Sequence, residues 1–143
     1  MSKALNYLGI ARKSGGMETG EDNSAGLVKA GKARVLIVAS DTSDGAKRRA
    51  EGYVFETNTV LVEVPFTKDE ISSISGKSGC SMAAITDLGL AAAFLKALVQ
   101  EQGEKYSEAY ERVEALKQRI EKRKASKSPA LGSKTGIRRK KSV

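Results

Sequence analysis

Histidine and tryptophan are absent from this 143-residue chain, cysteine occurs once and proline twice. Without an imidazole there is no Ser-His-Asp or Cys-His arrangement, no histidine-ligated metal site, and none of the side chain best suited to proton transfer near neutral pH. Cys80 alone cannot form an intramolecular disulfide, so a reducing compartment is expected, with cytoplasm the default. Lacking a histidine to activate it, Cys80 reads as a small half-buried side chain rather than a nucleophile. Aromatic residues make up 5% of the chain, which leaves an aliphatic core as the way to fold it. No apolar run approaches a membrane span, and Met1 to Leu8 holds no long apolar stretch before a cleavage site, so neither secretion nor membrane insertion is expected.

Charge is present in excess and is unevenly placed. Of the formal +8, residues 1–99 hold 12 Lys and Arg against 11 Asp and Glu, while the last 44 residues hold 13 against 6. A near-neutral body with a basic arm suits a partner rich in phosphate; a solvated run of charge is the alternative for the arm taken alone.

Helix and strand signals alternate along the body. Leu5, Leu8 and Ile10 form a helical stripe closed by Arg12-Lys13 and then Ser14-Gly15-Gly16. Thr19, with Asp22 three residues on, reads as the cap of a second helix that Gly31 ends. Val35 to Ala39 reads as a buried strand, Ala46 to about Phe55 as a helix, Val60 to Val64 as a strand, and Lys68 to Ile74 as a helix capped by Thr67. The loop Ser75 to Gly79 leads into the strand Met82 to Ile85, and Asp87 opens a long apolar helix. Strands without polar alternation between helices predict a three-layer α/β/α sandwich with a mixed central sheet. The expected division is a body over residues 1–103, an amphipathic helix over 104–124 with Tyr106, Ala109, Val113, Leu116 and Ile120 on one stripe, and a disordered basic tail over 125–143.

Nothing in the chain assembles a nucleophile, a base and an orienting group, so no enzyme is expected and no cofactor or metal is called for. Acid pairs such as Asp41 and Asp44 stand where helix capping needs them. Gly76-Lys77-Ser78 lacks the glycine five residues earlier that a phosphate-binding Walker loop requires, since Ile71 stands there, and its order of helix then strand is reversed. The glycines of this loop permit close backbone approach, and Lys77 offers a charge to phosphate; a plain tight turn is the competing reading. At Thr19-Gly20-Glu21-Asp22-Asn23, short polar side chains gather at a helix start, where N–H groups face outward and can meet a phosphate or a base edge.

In an α/β/α sandwich this helix start and the loop before the last strand can lie side by side. With both in place, the chain resembles the ribosomal protein L-seven-Ae and L-thirty-e family of kink-turn RNA binders, most nearly its bacterial YlxQ-type branch. The resemblance rests on Leu8-Gly9-Ile10-Ala11-Arg12-Lys13-Ser14-Gly15, Thr19-Gly20-Glu21-Asp22, Gly31-Lys32-Ala33 leading into Val35 to Ala39, Ser40-Asp41-Thr42-Ser43, Gly76-Lys77 and Asp87, over roughly residues 3–99. It implies a helix entering the groove beside sheared G·A pairs, and a glycine loop over a flipped-out nucleotide. Carried over, Gly20 would give close approach, Glu21, Asp22 and Asn23 would read bases, and Gly76, Lys77, Ser78 and Gly79 would form the second contact. The asparagine and glutamate of the family's usual Gly-x-Asn-Glu, and the lysine that follows them, are here replaced by Asp22, Asn23 and Gly26. An acidic pair accepts hydrogen bonds from base N–H groups but repels phosphate; the competing reading of Glu21 and Asp22 is purely structural, as acids favoured by the helix dipole.

Two functions follow as expectations. In the first, a non-enzymatic RNA-binding protein of a ribosome or translation context recognises structured RNA with its body. Its tail residues Lys134, Arg138, Arg139, Lys140 and Lys141 clamp neighbouring phosphates. In the second, RNA reading is lost and the Tyr106 to Ile120 helix recruits a partner or self-associates, with Glu108, Glu111 and Glu114 disfavouring RNA there.

Overall fold

The computed structural model describes residues 2–76 and 81–127. The chain divides into two compact units, Met1–Val113 and Glu114–Val143. In the first, helices α1 (Lys3–Lys13), α2 (Glu21–Lys29), α3 (Asp44–Val54), α4 (Lys68–Ser75) and α5 (Leu88–Gln102) alternate with strands β1 (Met17–Thr19), β2 (Val35–Val38), β3 (Val60–Glu63) and β4 (Met82–Ile85). A 3₁₀ turn, Glu104–Tyr106, leads into helix α6 (Ser107–Lys127).

The sheet order is β1-β4-β2-β3. β2 and β3 are parallel, with Val35 beside Val60, while β4 runs antiparallel to both β1 and β2. The sheet is therefore mixed. Every residue of β2 and β4 is buried, because helices cover both faces. Val35, Ile37, Ala83 and Ile85 pack with Leu8 of α1, Ile71 of α4 and Phe94, Leu95 and Leu98 of α5. Leu36, Val38, Met82 and Ala84 pack on the other face with Val28 of α2 and Ala46 and Ala50 of α3. Alternate strand residues thus enter opposite apolar layers, which is why the strands carry no polar alternation and why the architecture is α/β/α. Full burial of a side chain such as Phe94 or Leu98 contributes ~1.5–3 kcal/mol.

Local chemistry sets the helix limits. Ser2, Ser43, Thr67 and Asp87 cap α1, α3, α4 and α5, each accepting a first-turn backbone N–H, and Thr67 with Glu70 completes a capping box. α2 differs. Thr19 does not cap it; its backbone sits opposite Ala83 in the β1–β4 ladder, its side chain is buried, and Gly20 holds the N-cap position with no side-chain bond. Strand pairing with β4 outcompeted a local cap, since it serves the core as well as the backbone.

Tyr106 and Val113 are buried in the core of the first unit, and the Tyr106 hydroxyl donates to the Glu63 carbonyl at 2.8 Å. In the second unit, Lys117 and Glu121 form an i,i+4 pair at 4.0 Å. Among the described residues no helix is long and apolar enough to cross a membrane.

Candidate nucleic-acid interface

The directions of β1, β2 and β3 bring three helix N-termini to one end of the sheet. Gly20 N–H donates to the Met82 carbonyl at 2.9 Å, so the start of α2 abuts the start of β4. Ala39 N–H donates to the Ser81 carbonyl at 2.9 Å, with the Thr42 hydroxyl 3.4 Å from the same oxygen, which sets the approach to α3 against the same segment. Ser40 N–H donates to the Phe66 carbonyl, and the Asp41 carboxylate accepts from Lys68 N–H at 2.8 Å, bringing in the start of α4.

Of these three starts, those of α3 and α4 have side-chain caps and that of α2 has none. Among the described residues no side chain caps the first-turn N–H groups of α2, which suits them to meet solvent or a ligand. Gly20 has φ +101° and ψ 147°, a conformation essentially restricted to glycine, and among the described residues a Cβ there would meet nothing within 4 Å. Backbone conformation, not crowding by the protein, demands glycine at this position, and the open space above it lets another molecule reach the backbone.

The polar residues that follow have separate tasks. Glu21 faces α3: Arg49 Nε donates to one carboxylate oxygen at 2.7 Å, Arg49 Nη2 to the other at 3.0 Å, and the Tyr53 hydroxyl adds a bond of 2.5 Å. The Arg49 fork, then the Tyr53 bond, hold the Glu21 carboxyl at about 2, well below its ordinary 4.5. The Tyr53 hydroxyl is pushed upward, chiefly by its bond to Glu21. Sequence reasoning placed Glu21 among base readers; its carboxylate is engaged in joining α2 to α3. The only sequence signal for this cluster is the Arg49, Tyr53 spacing of one helical turn, which cannot reveal a partner 28 residues away. Asp22 and Asn23 are exposed. The Asn23 amide donates to the Thr19 carbonyl at 3.2 Å, leaving its oxygen outward-capable, and Asp22 has no partner among the described residues.

Gly76 is the left-handed C-cap of α4, φ +78°. Lys77, Ser78 and Gly79 of the expected second contact lie outside the described residues, as do Cys80 and the tail residues Lys134, Arg138, Arg139, Lys140 and Lys141. Ser81, the first described residue after that loop, is tied to Ala39 and Thr42, and Met82 to Gly20. This end of the sheet carries Glu21, Asp22, Asp41, Asp44, Glu63, Asp69 and Glu70 around the helix starts against Lys47, Arg48, Arg49 and Lys68, and is acidic on balance; Arg49 is paired with Glu21, and Lys47 with Glu63 at 3.2 Å. No group of three or more metal-ligating side chains occurs among the described residues.

No protein-family model matches the chain. A curated relative, the RNA-binding protein YlxQ of Enterococcus faecium, is 30% identical over 79 residues, which cover 52% of this chain and 72% of that protein. Among solved structures, a protein of unknown function from Bacillus halodurans C superposes with a TM-score of 0.59 at 19% identity, covering 68% of this chain and 98% of that one. A likeness at that identity establishes the shared fold.

Proposed function

The chain belongs to the YlxQ family, and from that premise we propose that it is a non-enzymatic RNA-binding protein that meets structured RNA at the start of α2. The observation that carries this reading is the missing side-chain cap on α2. Its free N–H groups, the open space over Gly20 and the outward Asp22 and Asn23 stand together against the segment entering β4. Backbone N–H groups can position a phosphate, while a carboxylate and an amide read base edges. Glu21 then acts as a positioning residue, holding α2 to α3 through Arg49 and Tyr53.

The acidic surroundings favour recognition of splayed bases over attraction to backbone phosphate, which fits single-stranded loops and bulges such as a kink-turn. We place this activity in the cytoplasm, in a ribosome or translation context, with the basic tail supplying phosphate contacts. Asp22→Ala and Asn23→Ala test the proposal in binding assays against a kink-turn RNA and an unrelated stem. A bidentate base contact predicts a loss of about 1–3 kcal/mol on the kink-turn alone. Equal loss on both RNAs, or none on either, would refute base reading at α2.

Self-association through Tyr106 to Ile120 is a weaker reading, since Tyr106 and Val113 are already buried in the core of the first unit. A full-length chain that is monomeric in sedimentation would exclude it.

A further inference from the structure

The end of the sheet opposite the α2 start is where unpaired positive charge gathers. β4 separates the two ends: Gly20 binds the Met82 end, whereas Arg34 N–H donates to the Ile85 carbonyl at 2.7 Å and Thr86 N–H donates to the Gly16 carbonyl at 2.8 Å. The loops entering β1 and β2 therefore flank the exit of β4. At about 4.8 Å per strand, their backbones stand roughly 10 Å apart.

Both loops are built alike. After α1, Gly16 N–H reaches back to the Ala11 carbonyl at 2.8 Å with Gly15 left-handed at φ +81°; after α2, Lys32 N–H reaches back to the Leu27 carbonyl at 2.9 Å with Gly31 at φ +75°. These are paired Schellman closures, and they put Lys13 and Lys29 at equivalent places before the turn. A Cβ on Gly15 or Gly31 would meet nothing within 4 Å among the described residues, so both turns are open to approach. Residues 12–16 and 29–34 together supply Arg12, Lys13, Lys29, Lys32 and Arg34 and no acid.

Complementing the helix dipole accounts for part of this charge, because Arg12, Lys13 and Lys29 lie in the last turns of α1 and α2. It does not account for Lys32 and Arg34, which lie beyond α2. Each helix C-terminus carries only about half a negative charge, too little to offset five cations. Asp87 is the acid of the adjoining segment and is occupied in capping α5, accepting from Leu90 N–H at 3.0 Å; Glu18 lies within β1, and Glu56 stands beyond β2, in the turn that leads to β3. Among the described residues none of the five cations forms an ion pair. Arg12 and Arg34 are half-buried, and the Nε of each is enclosed without a hydrogen-bond partner. Their stems are thus already held in place, which lowers the ordering cost of engaging a ligand.

We propose that this end, formed by the α1–β1 and α2–β2 loops, is a second RNA-contacting surface that holds backbone phosphates through Arg12, Lys13, Lys29, Lys32 and Arg34. The proposal rests on the RNA-binding reading above and extends it. Base-edge contacts and sequence-independent phosphate contacts fall on opposite ends of the sheet, so the protein bridges two segments of a folded RNA. A duplex strand carries a phosphate about every 3.4 Å of axis, and a patch some 10 Å wide accommodates several.

The test uses the full-length protein and a kink-turn RNA flanked by long stems. Lys13→Gln, Lys29→Gln and Lys32→Gln together change exposed lysines only, and a control set with equal charge change carries Lys3→Gln, Lys96→Gln and Lys105→Gln. Affinity is measured over a salt series. The patch set should lower the log–log slope by roughly 2–3, at about 0.7–0.9 per contact, leaving the preference for kink-turn over unrelated RNA unchanged. The control set should leave the slope near that of the unsubstituted chain. Lys32→Gln alone, outside both helices, should give about one-third of the effect. Equal slopes for both sets, or no change with the patch set, would overturn the proposal while leaving the α2 reading intact. Absence of RNA binding by the unsubstituted chain would overturn both.

Discussion

Replacing Glu21 by Gln separates a structural carboxylate from a base-reading one. Its depression from 4.5 to about 2, at about 1.4 kcal/mol per pH unit, would amount to roughly 3 kcal/mol if the site were closed to water. It is not closed: the Glu21 side chain is 26% exposed and that of Arg49 is 55% exposed. Solvent screening therefore brings the expected loss down to about 1 kcal/mol or less, the range of exposed ion pairs with good geometry. Because the folded value lies below the unfolded one, the stabilisation is complete above pH 4.5 and is lost as the pH falls towards 2. Urea unfolding of both proteins between pH 7 and pH 2 should show a gap of about 1 kcal/mol at neutral pH that closes in acid. Arg49→Gln made first should abolish most of the further effect of Glu21→Gln. A gap that persists unchanged to pH 2 would refute the linkage argument, and no gap at pH 7 would show that the α2–α3 clamp is energetically idle. In RNA binding, Glu21→Gln should preserve kink-turn preference; its selective loss would return Glu21 to the base-reading set.

Gly20→Ala should destabilise the fold by about 1–3 kcal/mol through backbone strain at φ +101°, since the added methyl itself meets no described atom; thermal unfolding checks this, and an unchanged midpoint would contradict it. Tyr106→Phe removes the bond to the Glu63 carbonyl while keeping the buried ring, so a loss of about 0.5–1.5 kcal/mol is expected in chemical denaturation. The Tyr106 hydroxyl is pushed above its ordinary value, first by burial and then by Glu63, so its ultraviolet titration should occur at higher pH than that of a free tyrosine.

Because apolar spacing, glycine turns and Ser, Thr and Asp caps act within a few residues of themselves, periodicity and punctuation alone located the helices and strands β2, β3 and β4 of the body, but not β1. Thr67 and Asp87 illustrate this, each capping the helix its position announces, whereas α3 is capped by Ser43 with Asp44 in its first turn and Asp41 turned to Lys68 N–H. Whether a residue beside two competing partners joins one or the other is a long-range question. Thr19 had a local cap available and entered a ladder with Ala83, 64 positions along the chain. Glu21 met Arg49 and Tyr53 only because the sheet brought α2 beside α3. Likewise, Arg12, Lys13 and Lys29 look like ordinary helix-end charges, and Lys32 and Arg34 like a solvated loop, until the order β1-β4-β2 sets both loops around Ile85. Residue order alone settled every element of the body except β1, the aliphatic core, and the loss of imidazole chemistry that follows from the lack of histidine. Tertiary structure decided which polar groups are occupied and which face outward, because strand order and layer packing, not spacing along the chain, choose the neighbours of a side chain.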